Sequence, residues 1–153
     1  MNTLELKISP PALALLVCGA MWGVSLGGPS VGLSLLQRVV SSLAIAFIGG
    51  VLAFLGGVEL KRAKTTINPF KPQNSSSLVT SGVYRLTRNP LYLGLVFLLL
   101  GWAVFLCSYG ALVGPVFFVL YMNRFQIEPE EKILSAKFGL PYATYRSRVR
   151  RWL

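Results

Sequence analysis

Three stretches without a charged residue constrain this chain more than any other feature. Ile8 to Gln37, Val39 to Val58 and Asn89 to Asn123 contain no Asp, Glu, Lys or Arg. A helix needs roughly 20 apolar residues to cross a bilayer, and each run can supply them. The third run is too long for one span, and "CSYG" at Cys107–Gly110 interrupts it. With 54% of its residues hydrophobic and only 13% charged, the chain is apolar for a soluble domain of 153 residues. The expectation is an all-α integral membrane protein with about four transmembrane helices. They are placed near Ala12–Leu26, Leu35–Leu60, Pro90–Leu106 and Ala111–Asn123. The first apolar run continues well past signal-peptide length and further spans follow it, so retention in the membrane is expected rather than export.

The net charge of +10 is unevenly spread. Lys61, Arg62, Lys64, Lys71, Arg85 and Arg88 fall in one polar loop. Arg124, Lys132, Lys137, Arg146, Arg148, Arg150 and Arg151 fall in the tail. Arg38 is the one charge between the first two charge-free runs. By the positive-inside rule the loop, the tail and both termini are cytoplasmic, in what is read as a bacterial inner membrane. Headgroups of the lipid bilayer account for the basic charge. Nucleic acid is not expected as a partner, because no aromatic-rich soluble module accompanies that charge.

Two divisions follow: residues 1–60 with two membrane helices, and residues 61–153. A short amphiphilic start occupies residues 1–9, and "GGPSVG" at Gly27–Gly32 is a break with turn chemistry. Gly49, Gly50, Gly56 and Gly57 in the second helix allow close helix approach, and leave dimers conceivable and the oligomeric state open. "NPFKPQNSSS" at Asn68–Ser77 reads as a loop, with a turn following at Gly82. In the tail, Pro129 with flanking acids and then Gly139 punctuate one helix. A second begins at Pro141, with Tyr142, Tyr145, Val149 and Trp152 on one side. These are the expected C-terminal cytoplasmic or interfacial helices.

Several chemistries are excluded by what is missing. The chain has no histidine and no aspartate, which removes HExxH zinc sites and Ser-His-Asp triads. Cys18 and Cys107 have no metal-like or CxxC neighbour, so they read as small buried hydrophobes, and no metal is expected. The charge-free apolar runs weigh against an ion-coupled transporter.

Two clusters can carry chemistry. The first surrounds Asn89-Pro90, where Asn suits an N-cap and Pro the first helical position. A helix start offers free N–H groups and a positive dipole end, and Arg88 beside it adds a bidentate carboxylate ligand. Tyr84, Arg85 and Tyr92 lie close by; membrane anchoring is the plainer reading for these residues. The second cluster is Glu128, Glu130 and Glu131, three of the five acidic residues. It reads either as an acidic first helical turn or as a site for an ammonium group. Together the clusters suit a zwitterion, its carboxylate near Arg88 and its ammonium near Glu130 or Glu131.

"SGVYRLTRNPLYLG" followed by "EPEEKILSAKFGLPYATYRSRVRRW" resembles the isoprenylcysteine carboxyl methyltransferase and phospholipid methyltransferase family of membrane enzymes. The family pattern runs G-x-Y-R-x-x-R-H-P-x-Y-x-G, a hydrophobic hairpin, then E-E-x-x-L-x-x-x-F-G-x-x-Y-x-x-Y. Gly82, Tyr84, Arg85, Arg88, Pro90, Tyr92 and Gly94 match the first part. Glu130, Glu131, Leu134, Phe138, Gly139, Tyr142 and Tyr145 match the second. The resemblance covers about residues 60 to 153, which makes 61–153 the methyltransferase core. It implies S-adenosylmethionine as cofactor and a lipophilic acceptor reached laterally from the bilayer. Tyr84, Arg88, Tyr92, Gly94 and Glu131 inherit cofactor-binding roles, joined by Arg85, Asn89, Glu130, Tyr142 and Tyr145. Glu130 and Arg88 are the catalytic candidates.

One position departs from the pattern. The common His is Asn89 here, which can donate a hydrogen bond but cannot shuttle a proton near neutral pH. This marks a subgroup of the family. A carboxylate or thiolate acceptor needs no base. An ammonium acceptor does, and Glu130 or Glu131 is nearest to hand. Two other readings stand beside methyl transfer. One is an NADPH-dependent membrane reductase, since sterol reductases resemble the C-terminal half. The other is a non-catalytic protein whose basic tail binds lipid or a partner.

Overall fold

The computed structural model describes residues 5–29, 31–66 and 68–153. Residues 1–4 of the amphiphilic start, Ser30 of the glycine-rich break and Ile67 of the polar loop lie outside the described residues.

Local chemistry starts each of the first three helices. Ser9 accepts a hydrogen bond from the Ala12 N–H at 3.4 Å, and Pro10 follows it to open α1 (Pro10–Ser25). Ser34 and Gln37 cap each other reciprocally at the start of α2 (Leu35–Arg62). Pro90 opens α3 (Pro90–Leu106), which ends where Cys107 takes a left-handed conformation. A short 3₁₀ turn at Tyr109–Leu112 then leads into α4 (Val113–Tyr121). The described residues contain no strand, so the all-α expectation holds.

The sequence reading differs from the structure at three places. The fourth helix does not stop near Asn123. It passes through a π-helical segment, Met122–Ile127, into α5 (Glu128–Phe138) as one unbroken helix. Pro129 has no N–H and would press on the carbonyl of Phe125 in regular α geometry. The π segment absorbs this: the Glu128 N–H reaches back to the Asn123 carbonyl, and the Phe125 carbonyl accepts from the Leu6 N–H at 3.1 Å instead.

The second difference is in the tail. The last helix, α6 (Leu140–Arg148), gives way at Val149 to extended backbone, so Val149 and Trp152 do not share its face. Residues 149–153 turn back onto the bundle. The third concerns the spans. Leu35–Arg62 and Tyr109–Phe138 are long and apolar enough to cross a membrane; α1 and α3, at 16 and 17 residues, are shorter apolar helices beside them.

α2 and α3 pack antiparallel at close range. A Cβ on Gly49 would lie 2.6 Å from the Gly94 carbonyl, and one on Gly101 would lie 2.9 Å from the Ser42 carbonyl. Gly56 abuts Pro90 and Leu91, whereas Gly50 and Gly57 face open space, so only two of the four α2 glycines expected to pack do so. α1 lays Leu13, Val17 and Met21 against Leu99 and Ala103 of α3 and Phe118 of α4 to form the core. The outer face of α2 leaves Phe47 72% and Phe54 70% exposed, the pattern of a helix facing lipid. In this arrangement the start of α1, the end of α2, the start of α3 and the π segment gather at one end of the bundle. The polar loop and the tail cover that same end.

Candidate active site

The covered end contains a cavity of about 450 Å³. Tyr84, Arg88, Asn89, Tyr92, Glu130, Glu131, Tyr142 and Tyr145 line it, together with an apolar wall that includes Pro10, Ala53, Leu91, Leu95 and Phe138. Both halves of the two-part motif therefore meet in one place. They are brought there by the turn at Gly82, whose φ of +55° and contact with the Glu59 carboxylate leave no room for a side chain. The short 3₁₀ helix Gly82–Arg85 follows it and buries Tyr84.

Arg88 and Glu131, each with 9% of the side chain exposed, form an ion pair at 2.9 Å. Arg151 grips the same carboxylate with two donors, Nε to Oε1 at 3.1 Å and Nη2 to Oε2 at 2.9 Å. Hydrogen bonding to Glu131 holds the Arg151 guanidinium above its ordinary pKa. Both oxygens of Glu131 are thus engaged. Arg88 is not: its Nε and Nη1 are buried with no partner among the described residues. A buried donor left unmade costs about 1–3 kcal/mol, and more when charged.

Glu130 accepts from the Tyr92 hydroxyl at 3.0 Å, and among the described residues no cation pairs with it. Gln126, only 2% exposed, donates to the Pro69 carbonyl at 2.9 Å and to the Tyr92 oxygen at 3.4 Å. The Tyr145 hydroxyl donates to the Tyr84 carbonyl at 2.7 Å. Burial pushes the Tyr142 phenol up to about 12 and raises those of Tyr84 and Tyr145 further, so all three remain neutral donors at ordinary pH.

Asn89 stands at the N-cap position of α3 but its side chain does not cap. Its Nδ2 donates to the Arg151 carbonyl at 2.9 Å. Two residues sit away from the cavity. Arg85 is exposed to solvent. Gly94 packs α3 against Gly49 and Ala53 of α2, so its need for a missing side chain is a helix-packing need.

Sequence reasoning passed over Thr87, Asn123, Gln126 and Arg151. Arg151 reads as one more charge in a basic tail, and nothing local separates it from Arg150. Asn123 and Gln126 come inward because the π segment re-aims them.

The family described as phospholipid methyltransferase matches residues 36–140, from the start of α2 to the start of α6. This chain belongs to that family. It is a family of methyltransferase enzymes, which implies a methyl donor. A probable protein-S-isoprenylcysteine O-methyltransferase of Oryza sativa subsp. indica is 34% identical over 110 residues, covering 70% of this chain and 56% of the relative. The protein-S-isoprenylcysteine O-methyltransferase of Xenopus laevis is 35% identical over 115 residues, 69% of this chain and 39% of its own length. An uncharacterized protein of Haemophilus influenzae is 44% identical over 63 residues, 41% of this chain and all of that protein. The chain thus spans about half or less of the named methyltransferases it matches. No solved structure matches it.

Proposed function

We propose that this chain is a membrane methyltransferase that uses S-adenosylmethionine and a lipophilic acceptor bearing a carboxylate, thiol or amine. Arg88 carries the proposal, because its buried guanidinium lines the cavity and two of its nitrogens have no partner among the described residues. A planar cation with unpartnered donors is a natural partner of a carboxylate, and the amino-acid end of the donor has one. The start of α3 adds free N–H groups and a positive dipole end to the same place.

When bound, the donor supplies a methyl group on a sulfonium, already a good leaving group, so the protein's work is positioning. Arg88 anchors the carboxylate. Glu130, which no cation neutralises, faces a positively charged group: the donor's ammonium or, with an amine acceptor, the ammonium whose proton it takes. Glu131 is fully engaged by Arg88 and Arg151 and acts by holding Arg88 rather than by meeting a ligand. Leu91, Leu95 and Phe138 provide an apolar wall that excludes water and suits a lipid-soluble acceptor.

The four apolar helices are read as crossing the membrane together, the shorter two packed against the longer two. The basic loop and tail support a reading in which the cavity faces the cytoplasm, with a bacterial inner membrane as the proposed location.

Calorimetric titration of the detergent-purified protein with S-adenosylhomocysteine, with NADPH for comparison, tests this reading. Binding of the former, and its loss in Arg88→Ala, is expected. Removing a charge-assisted contact of about 1.5–3 kcal/mol weakens affinity at least tenfold. Preference for NADPH, or failure of either to bind the folded protein, would overturn it. In Glu130→Gln, slower turnover with affinity retained assigns Glu130 to the acceptor's proton, and lost affinity assigns it to the donor's ammonium.

A further inference from the structure

We propose that Arg151 is a positioning residue that makes the cavity selective for a carboxylate, acting through Glu131 on Arg88. This rests on the cavity being the S-adenosylmethionine site. Arg151 occupies one acceptor direction on each oxygen of Glu131 with Nε and Nη2, and Arg88 gives Glu131 only its Nη2. The other donors of Arg88, Nε and Nη1, have no partner among the described residues and are what a ligand carboxylate meets. Remove Arg151, and Glu131 has free lone pairs next to a fork-shaped donor. A carboxylate in that position turns to take Arg88 bidentately and competes with the ligand for it. The charge balance moves the same way. Arg88, Arg151 and Glu131 together carry +1, whereas Arg88 and Glu131 alone are neutral and attract an anion less.

The segment that delivers Arg151 is built for this placement. The Arg88 N–H donates to the Arg150 carbonyl at 3.0 Å, and the Thr87 hydroxyl donates to the Arg151 carbonyl at 3.1 Å. Thr87 is wholly buried. On the other side Asn123 accepts from Arg151 Nη1 at 3.3 Å and from Trp152 Nε1 at 3.1 Å. The extended tail is thereby tied to the Arg88 loop by its backbone and to the π segment by its side chains. The guanidinium is held where Glu131 needs it.

Two ligands separate this role from a merely structural one. S-adenosylhomocysteine carries the amino-acid carboxylate; 5′-methylthioadenosine shares its nucleoside and sulfur but lacks it. In Arg151→Gln, affinity for S-adenosylhomocysteine falls about tenfold or more, the loss of one charge-assisted contact, while affinity for methylthioadenosine is unchanged. Adding Glu131→Gln to that variant restores part of the preference, because a neutral amide no longer competes for Arg88. Arg151→Lys keeps the charge but cannot chelate both oxygens, so it falls between wild type and Arg151→Gln; it also serves as the test variant should Arg151→Gln not fold. Equal weakening of both ligands, or no weakening of either, overturns the proposal when wild-type protein binds S-adenosylhomocysteine and Arg88→Ala does not. Absence of S-adenosylhomocysteine binding in the wild type overturns the cofactor reading itself.

Discussion

α3 has an arginine at each end, and the two are used in opposite ways. At its C-terminus Arg38, reaching across from α2, donates Nε to the Phe105 carbonyl at 2.7 Å, donates Nη2 to the same oxygen, and lies over the Phe105 ring. Cations belong at helix C-termini, where carbonyls lack intrahelical partners and the dipole is negative. At the N-terminus Arg88 sits where the dipole disfavours a cation, is nearly buried, and leaves two donors without partners among the described residues. One arginine completes the fold. The other is tolerated in an unfavourable place by Glu131 and is left with two donors free, the condition expected of a residue kept for a ligand.

The hardest test of that contrast is Glu131→Ala. It leaves Arg88 and Arg151 without their counter-charge and should cost about 3–5 kcal/mol, seen as a large fall in the thermal midpoint in detergent. An unchanged midpoint would mean that Arg88 does not depend on the pair. Gly94→Ala comes next. Its new methyl would meet Gly49 and Ala53, so the midpoint should fall by the equivalent of about 1–3 kcal/mol while the folded protein keeps its affinity for S-adenosylhomocysteine. Lost affinity at full stability would return Gly94 to the cofactor site. Arg38→Ala removes hydrogen bonds at the end of α3 away from the cavity and should cost about 1–2 kcal/mol of stability with no change in ligand affinity. A change in affinity there would erase the distinction between the two ends. Arg85→Ala, at an exposed position, should change stability by less than about 0.5 kcal/mol and binding not at all.

Much of this architecture is legible in the chain itself. Charge-free runs and the Asn-Pro punctuation place α1, α2 and α3 to within two residues of where they form, because capping and hydropathy act locally. The pairing of the R-x-x-R-N-P and E-P-E-E segments is also foreseeable from the resemblance, though from neither segment alone. The continuous helix from α4 to α5 is not. Pro129 signals a break, and only the non-local Leu6 N–H, supplying the Phe125 carbonyl with the partner that Pro129 denies it, lets the helix run on.

The sequence by itself determined an all-helical, apolar chain with its basic residues concentrated in one loop and one tail, since composition and short-range spacing suffice for that. Tertiary structure alone decided which charges meet. Among similar arginines it chose Arg88 to be buried beside the cavity, Arg151 to occupy Glu131 and Arg85 to face solvent. Gly94 went against α2, outside the cavity lining. These outcomes depend on where the extended tail docks and how the π segment turns Asn123 and Gln126, and those are set by contacts between residues that are far apart in sequence.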